Sequence, residues 1–327
     1  MIKIAGDGNV KEISIMEIGG FKVGHAQDYD AMTGCTVVLC DDMAPAGVDV
    51  RGGGPASRET PLLNPVSDAK GIHAVLLSGG SAFGLDAAGG VMKYLEERNI
   101  GFDVGITKVP LVCQSCLFDL GIGKVDVRPE QKMGYEACEN ASYEPMEEGN
   151  VGAGTGCTVG KIKGMQDCMK SGIGSFAVQV GDLKVGAIVA VNALGDVYDL
   201  ETGKMLAGVR DESNNMCSTE EIMIESMAHD NLFTGNTTIG IVLTNAKMDK
   251  THLNKVASMA HNGYARTIRP IHTTADGDSI YALSVGAALE GDVNVVGTLS
   301  SYVMAKAINR AVLAAESACG YPAARDM

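Results

Sequence analysis

Short apolar runs rich in β-branched residues alternate with longer segments of helical character along this chain. The apolar run at 72–77 is typical of a buried strand. Two alternating segments, 174–180 and 185–192, predict an antiparallel hairpin because a glycine–aspartate turn lies between them. Strands and helices mix without strict βαβ order, which favours an α+β sandwich over a doubly wound parallel sheet. The other predicted strands are 34–41 with 46–51 as its partner, a 102–113 segment broken by Pro110, 237–246 and 279–285, and the predicted helices are 83–97, 129–142, 218–229, 249–262 and 294–315.

The composition is that of a folded, acidic protein. Of its 327 residues, 46% are hydrophobic and 20% are charged, which allows a sizeable core. The formal net charge is −14 and no run of Lys or Arg forms a basic patch, so we expect no nucleic-acid partner. No stretch reaches about 18 consecutive apolar residues, and residues 1–7 lack a signal-peptide pattern. We therefore expect a cytoplasmic protein without membrane association.

Cysteine and histidine spacings indicate neither a metal site nor a cofactor. The nine cysteines are scattered and are expected to be reduced thiols, with Cys113 and Cys116 as one close pair. A zinc site would require a second such pair or nearby histidines. None of the six histidines has H-x-x-x-H or H-E-x-x-H spacing. We therefore expect no metal and no cofactor.

Two glycine-rich loops approach known motifs without matching them. The loop at 152–156 lacks the third glycine of a dinucleotide-binding fingerprint, which disfavours nucleotide binding. The loop that begins at Gly79 lacks the final glycine of the G-x-S-x-G nucleophile elbow, because Phe83 stands there. Backbone amides exposed by such glycines can instead donate to a substrate or an oxyanion. The residues expected to line a substrate pocket in this way are Gly79, Gly80 and Ser81.

The most informative stretch is a small-polar turn, Gly235–Thr237, that opens directly onto an apolar run typical of a buried strand. Cleavage of the peptide bond before Thr237 would give that residue both a hydroxyl nucleophile and a free α-amine. The reference pKa of an α-amine is about 8, so this amine can act as the general base near neutral pH. The alternative is an ordinary turn in which Asn236 and Thr237 lead into the strand.

Four other polar residues are candidates for assisting such a nucleophile. Asp276 and Asp278 precede a predicted strand, and their i, i+2 spacing points both carboxylates the same way. They could hold the ammonium and hydroxyl groups of Thr237, or keep one carboxyl protonated. Asn192 could donate to an oxyanion, and Lys161 could stabilise developing charge. The alternatives are an acidic turn, a turn-forming asparagine and a solvated lysine.

Several short segments occur in order over most of the chain. They are 48–55 (VDVRGGGP), 77–87 (LSGGSAFGLDA), 117–121 (LFDLG), 152–156 (GAGTG), 192–195 (NALG), 236–239 (NTTI) and 276–278 (DGD). In combination they resemble the S58 peptidase family, the aminopeptidases and esterases related to the D-aminopeptidase DmpA. The resemblance implies a four-layer αββα sandwich like that of N-terminal nucleophile hydrolases. It also implies an inactive precursor that cuts itself once, between Asn236 and Thr237, into chains 1–236 and 237–327.

The resemblance implies residue roles as well. A threonine rather than a serine after the cut is most similar to the nylon-oligomer hydrolase branch, which pairs its threonine with a lysine, an asparagine and two aspartates. The matching residues here are Lys161, Asn192, Asp276 and Asp278, with Lys163 as the weaker match for the lysine. DmpA-type aminopeptidases place a tyrosine near the oxyanion, where this chain has Phe118, whose ring cannot donate a hydrogen bond. We expect Phe118 in the substrate pocket without that role.

Three hypotheses for the function remain. The favoured one is a self-processing amidohydrolase or aminopeptidase that uses Thr237 on small peptides or on ω-amino acid oligomers such as 6-aminohexanoate oligomers. The second is an acyltransferase that works through the same acyl-threonine intermediate. The third is a non-catalytic metabolite-binding protein whose glycine loops form the pocket. The apolar segment 294–315 and the resemblance both indicate a homo-oligomer, a tetramer of cleaved protomers.

Overall fold

The computed structural model describes residues 10–226 and 235–327. Its α-helices are α1 (Ala87–Glu96), α2 (Gln131–Glu139), α3 (Thr219–Glu225), α4 (Lys250–Thr267) and α5 (Val293–Ala314). Its strands, in chain order, are β1 (Val10–Ile13), β2 (Phe21–Asp28), β3 (Thr33–Ala44), β4 (Ala46–Val50), β5 (Ala56–Arg58), β6 (Ile72–Ser78), β7 (Phe102–Asp103), β8 (Lys108–Val109), β9 (Val112–Cys116), β10 (Thr158–Val159), β11 (Met169–Lys170), β12 (Ile173–Val180), β13 (Leu183–Asn192), β14 (Asp196–Tyr198), β15 (Met205–Ala207), β16 (Thr237–Lys247), β17 (Ile268–Arg269) and β18 (Ser279–Glu290).

The larger sheet has six strands in the order β1–β12–β13–β16–β18–β4. Its central strands β13 and β16 are buried along most of their length, as expected for a sheet that is covered on both faces. β12 and β13 form the predicted hairpin. β16 pairs with β13 in antiparallel and with β18 in parallel orientation, so the start of β16 lies beside the end of β13.

The smaller sheet, in the order β2–β3–β6–β9–β5, packs against one face of the larger one. Successive side chains of β16 point to opposite faces of the larger sheet. Ile239 and Ile241 belong to the core between the sheets, together with Val38 and Val75 of the smaller sheet. Val242 belongs instead to the core on the other face, which includes side chains of α4 and α5.

Helices cover the outer face of each sheet. α4 and α5 pack on the larger sheet, and α1 and α2 pack on the smaller one. The order of layers is helices, larger sheet, smaller sheet, helices, which confirms the predicted αββα sandwich. Most apolar side chains of α5 are buried in this core, although Val295 and Leu313 are exposed, so most of the hydrophobicity of 294–315 is explained within one protomer.

The prediction that 46–51 pairs with 34–41 is wrong. β3 ends at Ala44, which pairs with Ile72 in the smaller sheet, whereas β4 begins at Ala46 and pairs with β18 in the larger sheet. The chain therefore changes sheets at Pro45. A proline fits such a point because it has no backbone N–H to offer a continuing ladder.

The prediction of a strand segment over 102–113 is only partly right, because that region forms the short antiparallel pair β7 and β8, and β9 begins only at Val112. The other predicted elements follow the sequence pattern with changes at their ends. The predicted helix at 83–97 begins as a 3-10 helix at Ser81–Asp86 before α1. The predicted helix at 218–229 corresponds to α3, and its last residues, 227–229, lie outside the described residues, as do residues 1–7. In the described ranges, no helix combines the length and apolar character needed to cross a membrane.

Candidate active site

Three strand ends meet at one edge of the larger sheet. β13 ends at Asn192, β16 begins at Thr237, and the antiparallel register pairs these two residues directly. Because β18 runs parallel to β16, Asp276 and Asp278, which precede β18, lie at the same edge. Asn236 forms an isolated bridge with Asp276. The topology therefore brings together polar residues that are far apart in sequence.

The peptide unit that joins Asn236 and Thr237 is buried. The hydroxyl of Thr237 donates to the carbonyl oxygen of Asn236, and the same oxygen accepts from the amide of Gly277 at 3.0 Å. The side chain of Asn236 donates to the carbonyl of Ala275 at 3.3 Å. Gly277 approaches so closely that a Cβ there would lie 2.7 Å from the Thr237 hydroxyl oxygen and 2.8 Å from the carbonyl oxygen of Gly54. Hydroxyl, carbonyl and amide donor are thus held in one small space.

Lys161 joins this group from the segment after β10. Its amide donates to the carbonyl of Leu194 at 2.9 Å, which fixes that segment beside the end of β13. Its buried ammonium donates to the Asn192 carbonyl at 3.0 Å, to the Asn192 side-chain oxygen at 2.9 Å and to the Gly235 carbonyl at 3.0 Å. These bonds use all three ammonium hydrogens. Burial lowers the pKa of Lys161 to about 8, so this amine can exchange a proton close to neutral pH.

The side chain of Asn192 is held at both ends. Its oxygen accepts from the Lys161 ammonium and from the amide of Thr158, the latter at 3.1 Å. Its nitrogen donates to the carbonyl of Phe118 at 2.8 Å and lies 3.5 Å from the carbonyl of Gly235. The amide hydrogens of Asn192 therefore face backbone carbonyls, one of which belongs to the segment that precedes β16.

Asp276 is a buried carboxylate with several donors around it. It accepts from the amide and the hydroxyl of Thr273 at 3.0 and 2.6 Å, and from the amide of Leu194 at 3.4 Å. Burial, together with the charge of Asp278, raises the pKa of Asp276 to about 6. A carboxyl that changes its charge near pH 6 can take part in proton transfer close to neutral pH.

Asp278 lies between the strand of Thr237 and a histidine. One of its oxygens accepts from the amide of Thr238 at 2.8 Å. The other lies 2.8 Å from Nδ1 of His272 and accepts from the amide of His272 at 3.2 Å. The carboxylate thus connects the residue after Thr237 to His272. Sequence reasoning missed His272 because no motif or spacing distinguishes it from a loop histidine.

Of the two lysines matched by the resemblance, the structure places Lys161, and not Lys163, beside Asn192. The side chain of Lys163 is exposed, and its carbonyl accepts from the side chain of Gln166. The weaker match is therefore a surface residue, whereas Lys161 is fully buried.

The glycine loop after β6 differs from its expected use. The amides of Gly79, Gly80 and Ser81 all donate within the protein, at 2.9, 2.7 and 2.8 Å respectively. The acceptor for Gly80 is Asp119, a buried carboxylate that also accepts from the hydroxyl of Thr33 at 2.6 Å. Burial raises the pKa of Asp119 to about 6. These amides are occupied by protein acceptors rather than presented to a substrate or oxyanion, and a pocket-lining role for the loop stays a prediction.

Phe118 contacts the site through its backbone. Its carbonyl accepts from the Asn192 side chain at 2.8 Å, and its side chain is partly buried. The contact is therefore independent of whether a phenylalanine or a tyrosine stands at this position. The place of Phe118 in a substrate pocket stays a prediction. Within the described ranges, no group of three or more His, Cys, Asp or Glu side chains is arranged to hold a metal ion.

The chain as a whole matches one known family. A sequence model of peptidase family S58 matches residues 14–324. This chain belongs to peptidase family S58. It is 39% identical to an uncharacterized aminopeptidase of Mycobacterium leprae, over 94% of this chain and 92% of the relative. It is 28% identical to a 6-aminohexanoate-oligomer endohydrolase of Agromyces sp., over 84% of this chain and 75% of the relative. This S58 protein is therefore a hydrolase, which overturns the alternative of a non-catalytic binding protein.

Solved structures share the fold of this S58 hydrolase. An L-aminopeptidase D-Ala-esterase/amidase from Ochrobactrum anthropi, described as a variant of the Ntn hydrolase fold, matches with a TM-score of 0.71 at 18% identity, over 94% of this chain and 88% of that one. A β-aminopeptidase from Burkholderia sp. matches with a TM-score of 0.65 at 19% identity, over 94% and 88% of the two chains. This chain thus shares its fold with these two proteins.

Proposed function

We propose that this S58 hydrolase cuts itself between Asn236 and Thr237 and then uses the hydroxyl of Thr237, now N-terminal, as its nucleophile. The observation that carries the proposal is the contact between the Thr237 hydroxyl and the Asn236 carbonyl, whose oxygen also accepts from the Gly277 amide at 3.0 Å. Peptide-bond cleavage requires a nucleophile beside a carbonyl that a donor polarises.

The self-cleavage needs no other protein. The Thr237 oxygen bonds to the carbonyl carbon of Asn236, and the bond from that carbon to the Thr237 nitrogen breaks. The hydroxyl proton passes to this nitrogen, which becomes an amine, and an ester joins the two residues. Water then hydrolyses the ester, which leaves a carboxyl group on Asn236 and restores the Thr237 hydroxyl. The products are the fragments 1–236 and 237–327.

The cut supplies the general base for later turnovers. The new amine lies on the same residue as the nucleophile, so it can take the hydroxyl proton and return it to the leaving amine. Lys161 and Asn192 face the Gly235 carbonyl in the uncut chain, and we assign them to stabilising the oxyanion once the cut allows residue 235 to move away. A substrate carbonyl that replaces the Asn236 carbonyl would meet the Gly277 amide as a further donor. Water finally releases the acyl group.

The two aspartates favour an amine at this site. Asp278 accepts from the amide of Thr238, and Asp276 forms a backbone bridge with Asn236, so we assign both aspartates to the surroundings of the new N-terminus. Their charge would position its ammonium group and attract a substrate amine. The relatives named aminopeptidase and 6-aminohexanoate-oligomer endohydrolase agree with this chemistry. We therefore propose small peptides or ω-amino acid oligomers as substrates.

Hydrolysis assays with an added amine test the proposal. Cleaved wild-type protein and a Thr237→Ala variant are incubated with L-aminoacyl p-nitroanilides and with 6-aminohexanoate oligomers. We expect the wild type to hydrolyse at least one substrate and the variant to hydrolyse none. Products that carry the added amine in place of the released acid would support the acyltransferase alternative. Equal turnover by the variant would contradict the role of Thr237.

We also propose that cleaved protomers form a homo-oligomer in the cytoplasm. The resemblance implies a tetramer and is the main support, because most apolar side chains of α5 are buried within one protomer. Light scattering should give four times the protomer mass of 34.0 kDa. A monomer mass at working concentration would contradict the proposal.

A further inference from the structure

His272 is bound to Asp278 through two of its own nitrogens. Its ring Nδ1 lies 2.8 Å from one Asp278 oxygen, and its backbone amide donates to the same oxygen at 3.2 Å. The other Asp278 oxygen accepts from the amide of Thr238 at 2.8 Å. Asp278 is fully buried, and the side chain of His272 is 18% exposed. One carboxylate therefore ties the histidine to the residue directly after Thr237.

The ring of His272 is held by two aromatic side chains of α4. It stacks on Tyr264 with the ring centroids 5.9 Å apart, and it meets His261 edge to face at 4.8 Å. Tyr264 in turn donates to the carbonyl of Thr238 at 3.3 Å. The cluster of His272, Tyr264 and Asp278 thus contacts Thr238 at both its N–H and its C=O.

Hydrogen-bond partners show which ring nitrogen of each imidazole carries a hydrogen. A carboxylate can only accept, so the Nδ1 of His272 carries a hydrogen and donates it to Asp278. The Nε2 of His261 faces the Asp49 carbonyl at 3.0 Å and is likewise a donor. Burial lowers the pKa of His261 to about 4, so this neighbour is neutral at neutral pH. His272 therefore donates to Asp278 from both its ring Nδ1 and its backbone amide.

We propose that His272 is a positioning residue, which acts through Asp278 to fix the Thr237–Thr238 backbone for self-cleavage and for hydrolysis. The inference rests on the proposed role of Thr237. Asp278 has two backbone donors and one side-chain donor, and the side-chain donor is the one that can be removed by substitution. Without it, one oxygen of a buried carboxylate loses its strongest partner and the carboxylate is free to turn away from Thr238.

The chain offers a matched control for this pair. His252 also approaches an aspartate oxygen, that of Asp249, with its Nδ1 at 2.8 Å and its backbone amide at 2.9 Å. The His252 pair is exposed at the start of α4, with side chains 55% and 65% accessible. Both histidines thus make the same contacts, one pair at the site and one on the surface.

Four variants test the inference: His272→Ala, His272→Asn, His272→Gln and His252→Ala. The side-chain nitrogen of asparagine can take the place of the histidine Nδ1, whereas that of glutamine lies one bond further out, at the position of Nε2. Asparagine also tolerates the left-handed backbone of this residue, whose φ is 60°. We expect the Ala and Gln variants at 272 to slow self-cleavage and kcat by about tenfold or more, with KM nearly unchanged. The His272→Asn and His252→Ala variants should stay within about threefold of the wild type.

Intact mass over time and steady-state kinetics give the readouts. Wild-type rates in His272→Ala, or an Asn variant as slow as the Gln variant, would overturn the positioning role. If His272→Ala fails to fold, the rates of His272→Asn and His272→Gln alone test the positioning role. A cleaved wild type beside an uncut Thr237→Ala variant would leave the proposed function standing in either case. An uncut wild type would overturn the proposed function and this inference with it.

Discussion

Lys161 donates to Asn192 twice, to its backbone carbonyl at 3.0 Å and to its side-chain oxygen at 2.9 Å. The third ammonium hydrogen goes to the Gly235 carbonyl at 3.0 Å, which links the end of β13 to the segment before Thr237. A cation buried among neutral carbonyls costs stability, which its hydrogen bonds offset only in part. Because Lys161 contacts Gly235, the residue before the Asn236–Thr237 pair, we assign it a functional role.

The first prediction is that Lys161, and not Lys163, is needed for self-cleavage and hydrolysis. Lys161→Met removes the ammonium from Asn192 and Gly235, so self-cleavage and hydrolysis should fall by roughly 100-fold or more. Lys163→Met is the matched control, because Lys163 is exposed. Timed intact-mass measurements compare the two variants. Equal loss in both, or loss in the Lys163 variant alone, would contradict the assignment of Lys161.

The second prediction concerns pH. Because burial and Asp278 raise the pKa of Asp276 to about 6 from its ordinary 3.8, the folded protein binds this proton more tightly than the unfolded chain. The resulting stabilisation is present below the unfolded pKa and is lost as pH rises through about 6. Relative to wild type, an Asp276→Asn variant should therefore gain free energy of unfolding as pH rises from about 4 to 7.

Urea unfolding of wild type and Asp276→Asn at several pH values measures this difference. Taking the difference removes the contributions of Asp119 and Asp196, whose pKa values burial also raises to about 6. A difference that stays constant with pH, or that falls as pH rises, would contradict the raised pKa of Asp276.

The third prediction uses the close approach of Gly277 to the nucleophile. A Cβ added there would lie 2.7 Å from the Thr237 hydroxyl oxygen and 2.8 Å from the Gly54 carbonyl oxygen, so one of these groups must move. Gly277→Ala should slow self-cleavage by roughly 100-fold, because small displacements of reacting groups have effects of this size. Gly54→Ala is the control, since its Cβ would have 3.7 Å to the nearest atom. If Gly277→Ala cuts itself as fast as the wild type, self-cleavage does not depend on the close approach of Gly277 to the Thr237 hydroxyl.

The fourth prediction contrasts Lys161 with a second buried lysine. The Lys170 ammonium donates to the carbonyls of Gly154 and Cys157 at 3.2 and 3.0 Å, and also to that of Ser171. It holds the glycine-rich loop that resembled a nucleotide motif. Lys170→Met leaves these carbonyls without their donor and should lower the free energy of unfolding by about 2–4 kcal/mol. Denaturant unfolding measures this loss, and an unchanged midpoint would contradict it.

Local pattern was enough to predict the elements that carry the site. The apolar run after Thr237 gave β16, the hairpin gave the strand that ends at Asn192, and the resemblance indicated Lys161 and the two aspartates. The local pattern could not predict which distant strands pair with each other. The passage between sheets at Pro45 depends on which distant strands β3 and β4 meet, and a short apolar run carries no such information. The links from His272 to Asp278 and from Gly80 to Asp119 depend on tertiary structure in the same way.

The intact mass of the purified, denatured protein tests the central claim most directly. We predict two species for wild type, the smaller comprising 91 of the 327 residues, roughly 9.5 kDa of the 34.0 kDa, and beginning at Thr237. A Thr237→Ala variant prepared in parallel should remain a single chain of full mass. A single 34.0 kDa species for wild type after long incubation, or a cut at another peptide bond, would contradict the account.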